Sequence, residues 1–420
     1  MGQPFSTTEN RTSKIDCQQT IKPIDTIDKS LPVRHMQATE TRPPQQSKSQ
    51  WIDGIELLRA IAVLLVAISH GFDLLGNWNN SISDFMMSCF STFLKPGWWG
   101  VRIFFAISGY LIASQSIKVL HKGSPLLARN FALRRWIRTV PTYWIFLLAI
   151  TLLSGASIFT EVFRDNALFL NTISSNESII GVGWSLVIEE WSYAIVSAFL
   201  ILSTFFIGSK SQKEGARILA KLALLLIIVA TLFRYHTCVS SDASWETLKR
   251  NPFLQLDALS MGFLLACIQT IYPHWLERVL NHDGYLVVAA ILGMNLTGWW
   301  INASIVNADT ISTQTWLTLG LVIYPICSFF SALLVLGCFH YKSSTIHQIP
   351  RKLIQIIATT SYSIYLIHLY VLQGLRGLPF FANSGAAFWI YLLFSILAGI
   401  AAFEVTEKPF FQLRKRFRTN

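Results

Sequence analysis

Two basic side chains share one face of a helix predicted near the start of the chain. Residues 55–70 read IELLRAIAVLLVAISH, which places Arg59 and His70 eleven residues apart in a mostly apolar run. A helix turns by about 100° per residue, so both side chains lie on one face, roughly 16 Å apart along the axis. An imidazole, whose pKa ordinarily lies near neutral pH, can remove a proton from a hydroxyl. His70, with Arg59, is therefore a candidate catalytic residue. The alternative is an imidazole that only hydrogen-bonds a neighbouring helix.

Two adjacent carboxylates interrupt another apolar run. Residues 184–193 read WSLVIEEWSY, with Glu189 and Glu190 inside the run. Neighbouring residues of a helix point about 100° apart, so we expect one of the two to face the interior. That carboxylate can orient an imidazole or bind a sugar hydroxyl, and both residues are catalytic candidates. Trp184 and Tyr193 can stack on a sugar, although aromatic residues also gather at membrane interfaces by default.

Two further titratable residues lie in apolar runs. His368 follows Ser361 by seven residues, two helical turns, and Asp257 lies in LDALSMGFLLA. Ionisable groups are costly in lipid, so each is a candidate for function. We predict that both bind substrate. A polar contact between helices is the alternative for Asp257.

A cluster of guanidinium groups precedes the third apolar run. Residues 128–144 read ARNFALRRWIRTVPTYW, in which Arg134, Arg135 and Arg138 follow one another at helical spacing. Three such groups can bind phosphates bidentately. Pro141 is predicted in the first turn of the span. With Arg59 at a similar depth, the cluster predicts a site for an anionic cofactor. The alternative is a set of topology signals on a cytoplasmic loop.

The composition indicates what positions these residues. The chain has 420 residues, of which 52% are hydrophobic and 14% charged, with a mean hydropathy of +0.45. A soluble domain carries about 25% charged residues, so an ordinary soluble enzyme is excluded. A spanning helix needs about 20 apolar residues. We predict an all-α, polytopic integral membrane protein whose domain covers residues 51–411. Its ten predicted transmembrane helices are 55–75, 92–117, 137–155, 184–207, 217–233, 253–272, 285–301, 315–339, 355–373 and 386–405.

The net charge of +11 is localised. Residues 118–138 hold six bases and no acid, and the residues after Glu407 hold five bases, which together equal the net charge. Basic loops face the cytoplasm, so both termini are predicted there and no nucleic-acid partner is expected. Residues 1–50 are predicted to be a disordered cytoplasmic tail and residues 412–420 a basic one. No pair of ligands has metal-binding spacing, so no metal is predicted.

Taken in order, these segments resemble the acyltransferase-3 family of integral membrane O-acyltransferases, which modify surface polysaccharides and other extracytoplasmic acceptors. Arg102 departs from the resemblance, because the family more often has an acid there. The matching segments are IELLRAIAVLLVAISH, GVRIFFAISGYLI, RRWIRTVPTY, WSLVIEEWSY, DALSMGFLLA, SYSIYLIH and the closing Glu407-Lys408-Pro409.

The resemblance implies transfer of an acyl group, acetyl by family frequency, from acyl-coenzyme A. Arg59, Arg134, Arg135 and Arg138 would bind the phosphates of this co-substrate, and no permanently bound cofactor is expected. His70 would deprotonate the acceptor or carry the acyl group itself, and the sequence leaves both open. The acceptor, a glycan or similar molecule, would enter near Trp184 and the two carboxylates. The implied location is a bacterial inner membrane.

Two other classes of protein fit parts of the pattern. A proton-coupled transporter or flippase would use the ionisable residues His70, His368, Glu189 and Asp257 as a proton relay. Such proteins often have repeats and broken helices, and the sequence shows neither clearly. A membrane scaffold or sensor would act through the 50-residue tail.

Overall fold

The computed structural model describes residues 47–77, 97–174, 177–240, 243–306, 311–339, 351–378, 381, 386–414 and 416–417. Within these ranges the chain forms helices and turns and contains no strand, which confirms the predicted all-α class. The predicted tail over residues 1–50 lies almost entirely outside the described residues, as does part of the tail over 412–420.

Fifteen α-helices follow one another along the described ranges. Three π-helical turns, Asn302–Val306, Leu319–Ile323 and Phe403–Glu407, continue or join some of them. The helices are α1 Ser47–His70, α2 Trp98–Lys122, α3 Pro125–Leu153, α4 Glu161–Ala167, α5 Trp184–Phe206, α6 Gln212–Val239, α7 Trp245–Arg250, α8 Leu256–Ile271, α9 Pro273–Leu280, α10 Asp283–Ile301, α11 Thr313–Thr318, α12 Tyr324–Gly337, α13 Arg351–Arg376, α14 Ala387–Ala402 and α15 Lys408–Arg414.

Nine helical segments in the described part of the chain are long and apolar enough to cross a membrane. They correspond to nine of the ten predicted spans. The tenth corresponds to α1, whose every 18-residue window contains the three charged residues Asp53, Glu56 and Arg59. α1 packs against α2 and α13, and Glu56 and Arg59 are half-buried. The chain is a multi-pass membrane protein.

The basic segment between the second and third spans is helical, whereas the sequence predicted a loop. α2 continues to Lys122, and α3 begins at Pro125. Gly123 makes the turn with a φ of 62°, and a Cβ there would meet the backbone of Ser209 at 2.3 Å. Charged residues do not end a helix, whereas a left-handed glycine followed by proline does. Pro141 therefore lies inside α3 and not in its first turn, so that prediction is wrong.

Two glycines set the register of the helices around the site. A Cβ on Gly109 of α2 would lie 2.0 Å from the carbonyl oxygen of Leu259, and one on Gly262 of α8 would lie 2.0 Å from that of Ala106. A larger residue at either position would push the two helices apart. Small residues at helix contacts in membranes allow the backbones to approach this closely. This contact fixes α2, and with it Ser108, against its neighbours.

Candidate active site

A narrow cavity lies between α1, α2, α3, α5 and α13. Its volume is about 70 Å³, which leaves room for several water molecules. We call it the central cavity. Its lining combines two guanidinium groups, one carboxylate and several hydroxyls with an apolar wall. The polar lining residues are Arg59, Ser108, Arg138, Thr139, Ser185, Glu189, Tyr193, Ser361, Tyr362 and Tyr365.

Two imidazoles meet at the end of α1. The Nε2 atom of His368 lies 3.2 Å from Nδ1 of His70, and the ring centroids are 5.0 Å apart. His368 is 1% exposed, whereas the His70 side chain is exposed. The structure therefore brings together two predicted site residues that are 298 positions apart. It places His368 behind His70, with almost no surface of its own for a substrate.

The hydrogen bonds of this pair assign the protons on both rings. Nδ1 of His368 lies 2.7 Å from the carbonyl oxygen of Tyr365, so it must donate and Nε2 keeps a lone pair. Nδ1 of His70 lies 2.8 Å from the carbonyl oxygen of Val66 and faces the lone pair of His368, so it also donates. In neutral His70 the remaining nitrogen, Nε2, therefore carries the lone pair. That atom can accept a proton or attack a carbonyl.

Tyr365 connects the imidazole pair to the central cavity. Its ring contacts that of His368 at 5.9 Å between centroids and also lines the cavity. Its hydroxyl donates to the carbonyl oxygen of Val182 at 3.0 Å and lies 2.6 Å from the Oγ of Ser185. These bonds hold the ring at the boundary between the two parts of the site.

The two adjacent carboxylates face different spaces, as the helical geometry predicted. Glu189 lines the central cavity, where it accepts hydrogen bonds from Ser108, at 2.5 Å, and from Tyr193. Glu190 accepts from Thr139 at 2.5 Å and lines a second, more open groove of about 410 Å³ between α3 and α5, which we call the side groove. Of the two, only Glu189 shares the central cavity with Arg59.

The predicted arginine cluster is divided among three environments. Arg138 lines the central cavity with Arg59, which donates to the Oγ of Ser361 at 3.0 Å. Arg135 is buried in the side groove, with its guanidinium 5.6 Å from the ring centre of Tyr193. Arg134 donates to the carbonyl oxygen of Phe417 at 3.0 Å. The structure thus gathers two of the four predicted phosphate ligands in one cavity.

Two residues that the sequence reading did not assign to the site belong near it. Glu407 is buried and accepts from the backbone N–H and hydroxyl of Ser363, and its charge interacts with Arg59 and Arg138. Arg414 interacts electrostatically with the arginines of α3. The closing Glu-Lys-Pro segment was the sequence feature that could have assigned Glu407 to the site. Glu407 also ends a π-helical turn, and such turns are frequent at functional sites.

Asp257 does not line the central cavity. Its carboxylate pairs with the guanidinium of Arg234 at 2.8 Å, and both side chains are completely buried. Ser328 donates to the same carboxylate at 3.1 Å and accepts from Arg102 at 2.7 Å. Of the two interpretations, the geometry corresponds to the polar contact between helices. Arg102 also donates to Gln255 at 2.8 Å.

Trp184 begins α5 and is mostly buried. The ammonium group of Lys249, on α7, lies 5.1 Å from its ring centre. This face of the indole is therefore already covered by a cation. Within the described ranges, no group of three His, Cys, Asp or Glu side chains is arranged to hold a metal ion.

The described helices thus form a membrane-embedded bundle with a paired imidazole and a polar internal cavity. The model of the acyltransferase-3 family, described as an acyltransferase domain, matches residues 52–404. The chain belongs to this family, which confirms the resemblance.

Curated relatives agree with this membership at low identity. The peptidoglycan O-acetyltransferase OatA of Listeria monocytogenes serovar 1/2a (strain EGD-e) is 25% identical over 58% of this chain and 39% of its own length. The O-acetyltransferase OatA of Staphylococcus aureus (strain NCTC 8325) is 24% identical over 84% of this chain and 55% of its own length. The chain thus spans about half or less of these relatives. No solved structure matches.

Proposed function

We propose that the chain is a membrane O-acyltransferase that moves an acetyl group from cytoplasmic acetyl-coenzyme A to a hydroxyl of an extracytoplasmic glycan. Family membership and the names of the relatives support this reaction class. The relatives named for peptidoglycan point to a cell-wall type of glycan as acceptor. A bacterial inner membrane, with both termini in the cytoplasm, is the matching location.

The observation that carries the proposal is the lone pair on Nε2 of His70. The Nδ1 proton is held by Val66 and His368, which leaves the lone pair on Nε2 of an exposed residue. Positioning of this kind prepares an imidazole for proton abstraction from a hydroxyl. Arg59 lies eleven residues earlier on the same helix and lines the central cavity. A cation site and a base are thus separated along one helix, as donor and acceptor are separated by a membrane.

The reaction needs only these groups for proton transfer. Nε2 of His70 takes the proton of the acceptor hydroxyl. At the same time the hydroxyl oxygen attacks the carbonyl carbon of the thioester. The new C–O bond forms, the C–S bond breaks, and the thiolate of coenzyme A takes the proton back from the imidazolium. The hydroxyls of Tyr365 and Ser185, which lie 2.6 Å apart, keep the space between the central cavity and the two imidazoles polar.

The arginines would act on the donor. Arg59 and Arg138 supply two cations inside the cavity, and Arg134 and Arg414 extend positive charge towards the end of the chain. A diphosphate bound near these residues would direct the thin pantetheine arm into the cavity.

The test is acetyl transfer in membrane vesicles that contain the full chain. Radiolabelled acetyl-coenzyme A is supplied on one side and a cell-wall glycan on the other. We expect His70→Ala to reduce transfer by about 10²- to 10⁴-fold, with the protein level unchanged. The exposed His274→Ala, on α9, is the matched control and should transfer normally.

Two results would contradict the proposal. Full transfer by His70→Ala would exclude the base. Absence of acetyl-coenzyme A binding, together with proton-coupled solute uptake by the wild type, would favour a transporter instead.

A further inference from the structure

The short helix α7 lies between two spans and is held rigidly against the bundle. Leu248 is completely buried, and its carbonyl oxygen accepts from Gln255 at 2.6 Å. Gln255 in turn accepts from the buried Arg102 at 2.8 Å. The ring of Trp245 packs edge-on against Trp98, with 5.9 Å between centroids. A side chain on α7 is therefore presented by a fixed backbone and not by a mobile loop.

Lys249 is the α7 side chain that contacts Trp184, the first residue of α5. Its ammonium group lies 5.1 Å from the ring centre of Trp184, whose neighbour Ser185 lines the central cavity. Its charge also acts on the imidazole of His70. Lys249 is thus within electrostatic range of the imidazole that would remove the proton from an acceptor.

The positive charge of Lys249 is incompletely neutralised. Its carboxylate neighbour, Glu246, is 3.9 Å away and makes a closer ion pair with Arg250. The three residues together carry one net positive charge. The Lys249 side chain is only 24% exposed, and this burial lowers its pKa because the ammonium has lost part of its water. A cation that has already lost water pays less to bind an anion.

We infer that Lys249 is an acceptor-binding residue, and that the acceptor is an acidic glycan whose carboxylate pairs with this ammonium while a hydroxyl faces His70. The inference rests on the proposed function and specifies its substrate class. A carboxylate carries one negative charge, which matches the one net positive charge of Glu246, Lys249 and Arg250 together. Trp184 serves the site by holding Lys249.

The test measures binding of sugars to the purified full chain in lipid nanodiscs by calorimetry. The probes are a trimer of galacturonic acid and the matched neutral trimer of galactose. We expect the acidic trimer to bind more tightly to the wild type. Lys249→Gln should weaken its binding about tenfold, Lys249→Arg should retain most of it, and the neutral trimer should respond to neither change. Lys213→Gln, at an exposed position in the first turn of α6, is the matched control.

The outcomes separate this inference from the proposed function. Equal binding of both trimers to the wild type, or unchanged binding in Lys249→Gln, overturns the role of Lys249. Loss of both trimers in Lys249→Gln also overturns it, because Lys249 would then support the whole site and not select the carboxylate. If the acidic trimer binds as expected but no acceptor is ever acetylated, the carboxylate site stands and the proposed reaction fails.

Discussion

The Nε2 atom of His368 lies 3.2 Å from Nδ1 of His70, and the other ring nitrogen of His368 is held by the carbonyl oxygen of Tyr365. This chain of hydrogen bonds fixes the tautomer of His70 from behind. Second residues that orient a catalytic imidazole act in this way in many enzymes. We therefore propose that His368 acts as a positioning residue for His70, as an alternative to the predicted contact with substrate.

Replacement of His368 should reduce the rate without preventing substrate binding. We expect His368→Ala to lower kcat about 10- to 100-fold, because a misplaced catalytic group loses a rate factor of that order. The KM values for acetyl-coenzyme A and for the glycan should change little. His368→Asn, whose amide oxygen can accept from Nδ1 of His70, should recover part of kcat. A raised glycan KM with normal kcat would instead support the predicted substrate-binding role.

The two adjacent glutamates offer a matched pair of variants. Glu189→Gln removes a charge that accepts two hydrogen bonds in the central cavity. Hydrogen bonds to a charged group contribute about 1.5–3 kcal/mol, so we expect kcat/KM to fall about 10- to 100-fold. Glu190→Gln acts in the side groove and should have a much smaller effect. Steady-state acetyl transfer measures both, and equal losses would show that the division between the two spaces has no catalytic consequence.

Donor binding should distinguish Arg138 from Arg134. Arg138 lines the central cavity, whereas Arg134 is engaged by the carbonyl oxygen of Phe417. Loss of one charge-assisted contact to a phosphate corresponds to about a tenfold loss of affinity. We therefore expect Arg138→Gln to weaken acetyl-coenzyme A binding about tenfold. Arg134→Gln should weaken it less. Fluorescence titration of the donor analogue dephospho-coenzyme A alongside coenzyme A would report which phosphate each residue contacts. Wild-type affinity in Arg138→Gln would remove it from the donor site.

The buried pair Arg234–Asp257 should matter for stability. Removal of one partner leaves an unpaired charge among buried helices, which costs about 3–5 kcal/mol. Arg234→Met should therefore lower the melting temperature of the detergent-solubilised protein markedly. The double variant Arg234→Met with Asp257→Leu should recover much of the loss, because no charge then remains unpaired. A normal melting temperature in Arg234→Met would show that the pair contributes little.

The conservative variant Asp257→Asn tests the sequence prediction that Asp257 binds substrate. If the carboxylate serves only the ion pair, the melting temperature falls and the glycan KM of the folded fraction is unchanged. A higher glycan KM with normal stability would restore the predicted role. The partly exposed Asp283→Asn, in the first turn of α10, is the control for loss of one negative charge.

The amino-acid sequence by itself determined the spans and the local geometry within each helix. Apolar runs predict spanning helices because every backbone polar group must be paired within lipid. The period of 3.6 residues placed Arg59 and His70 on one face and directed Glu189 and Glu190 to different sides. These are properties of single helices. The positive charge of residues 118–138 predicted a loop, but charged residues do not by themselves end a helix.

Only the tertiary structure decided which side chains meet. The contact of His70 with His368, the pairing of Asp257 with Arg234 and the position of Lys249 over Trp184 each join helices far apart in the chain. Their rotation and depth depend on side-chain packing between helices. The periodicity of one helix does not tell how deep the neighbouring helix lies in the membrane. The sequence therefore indicated most of the candidate site residues but not the residues that they contact.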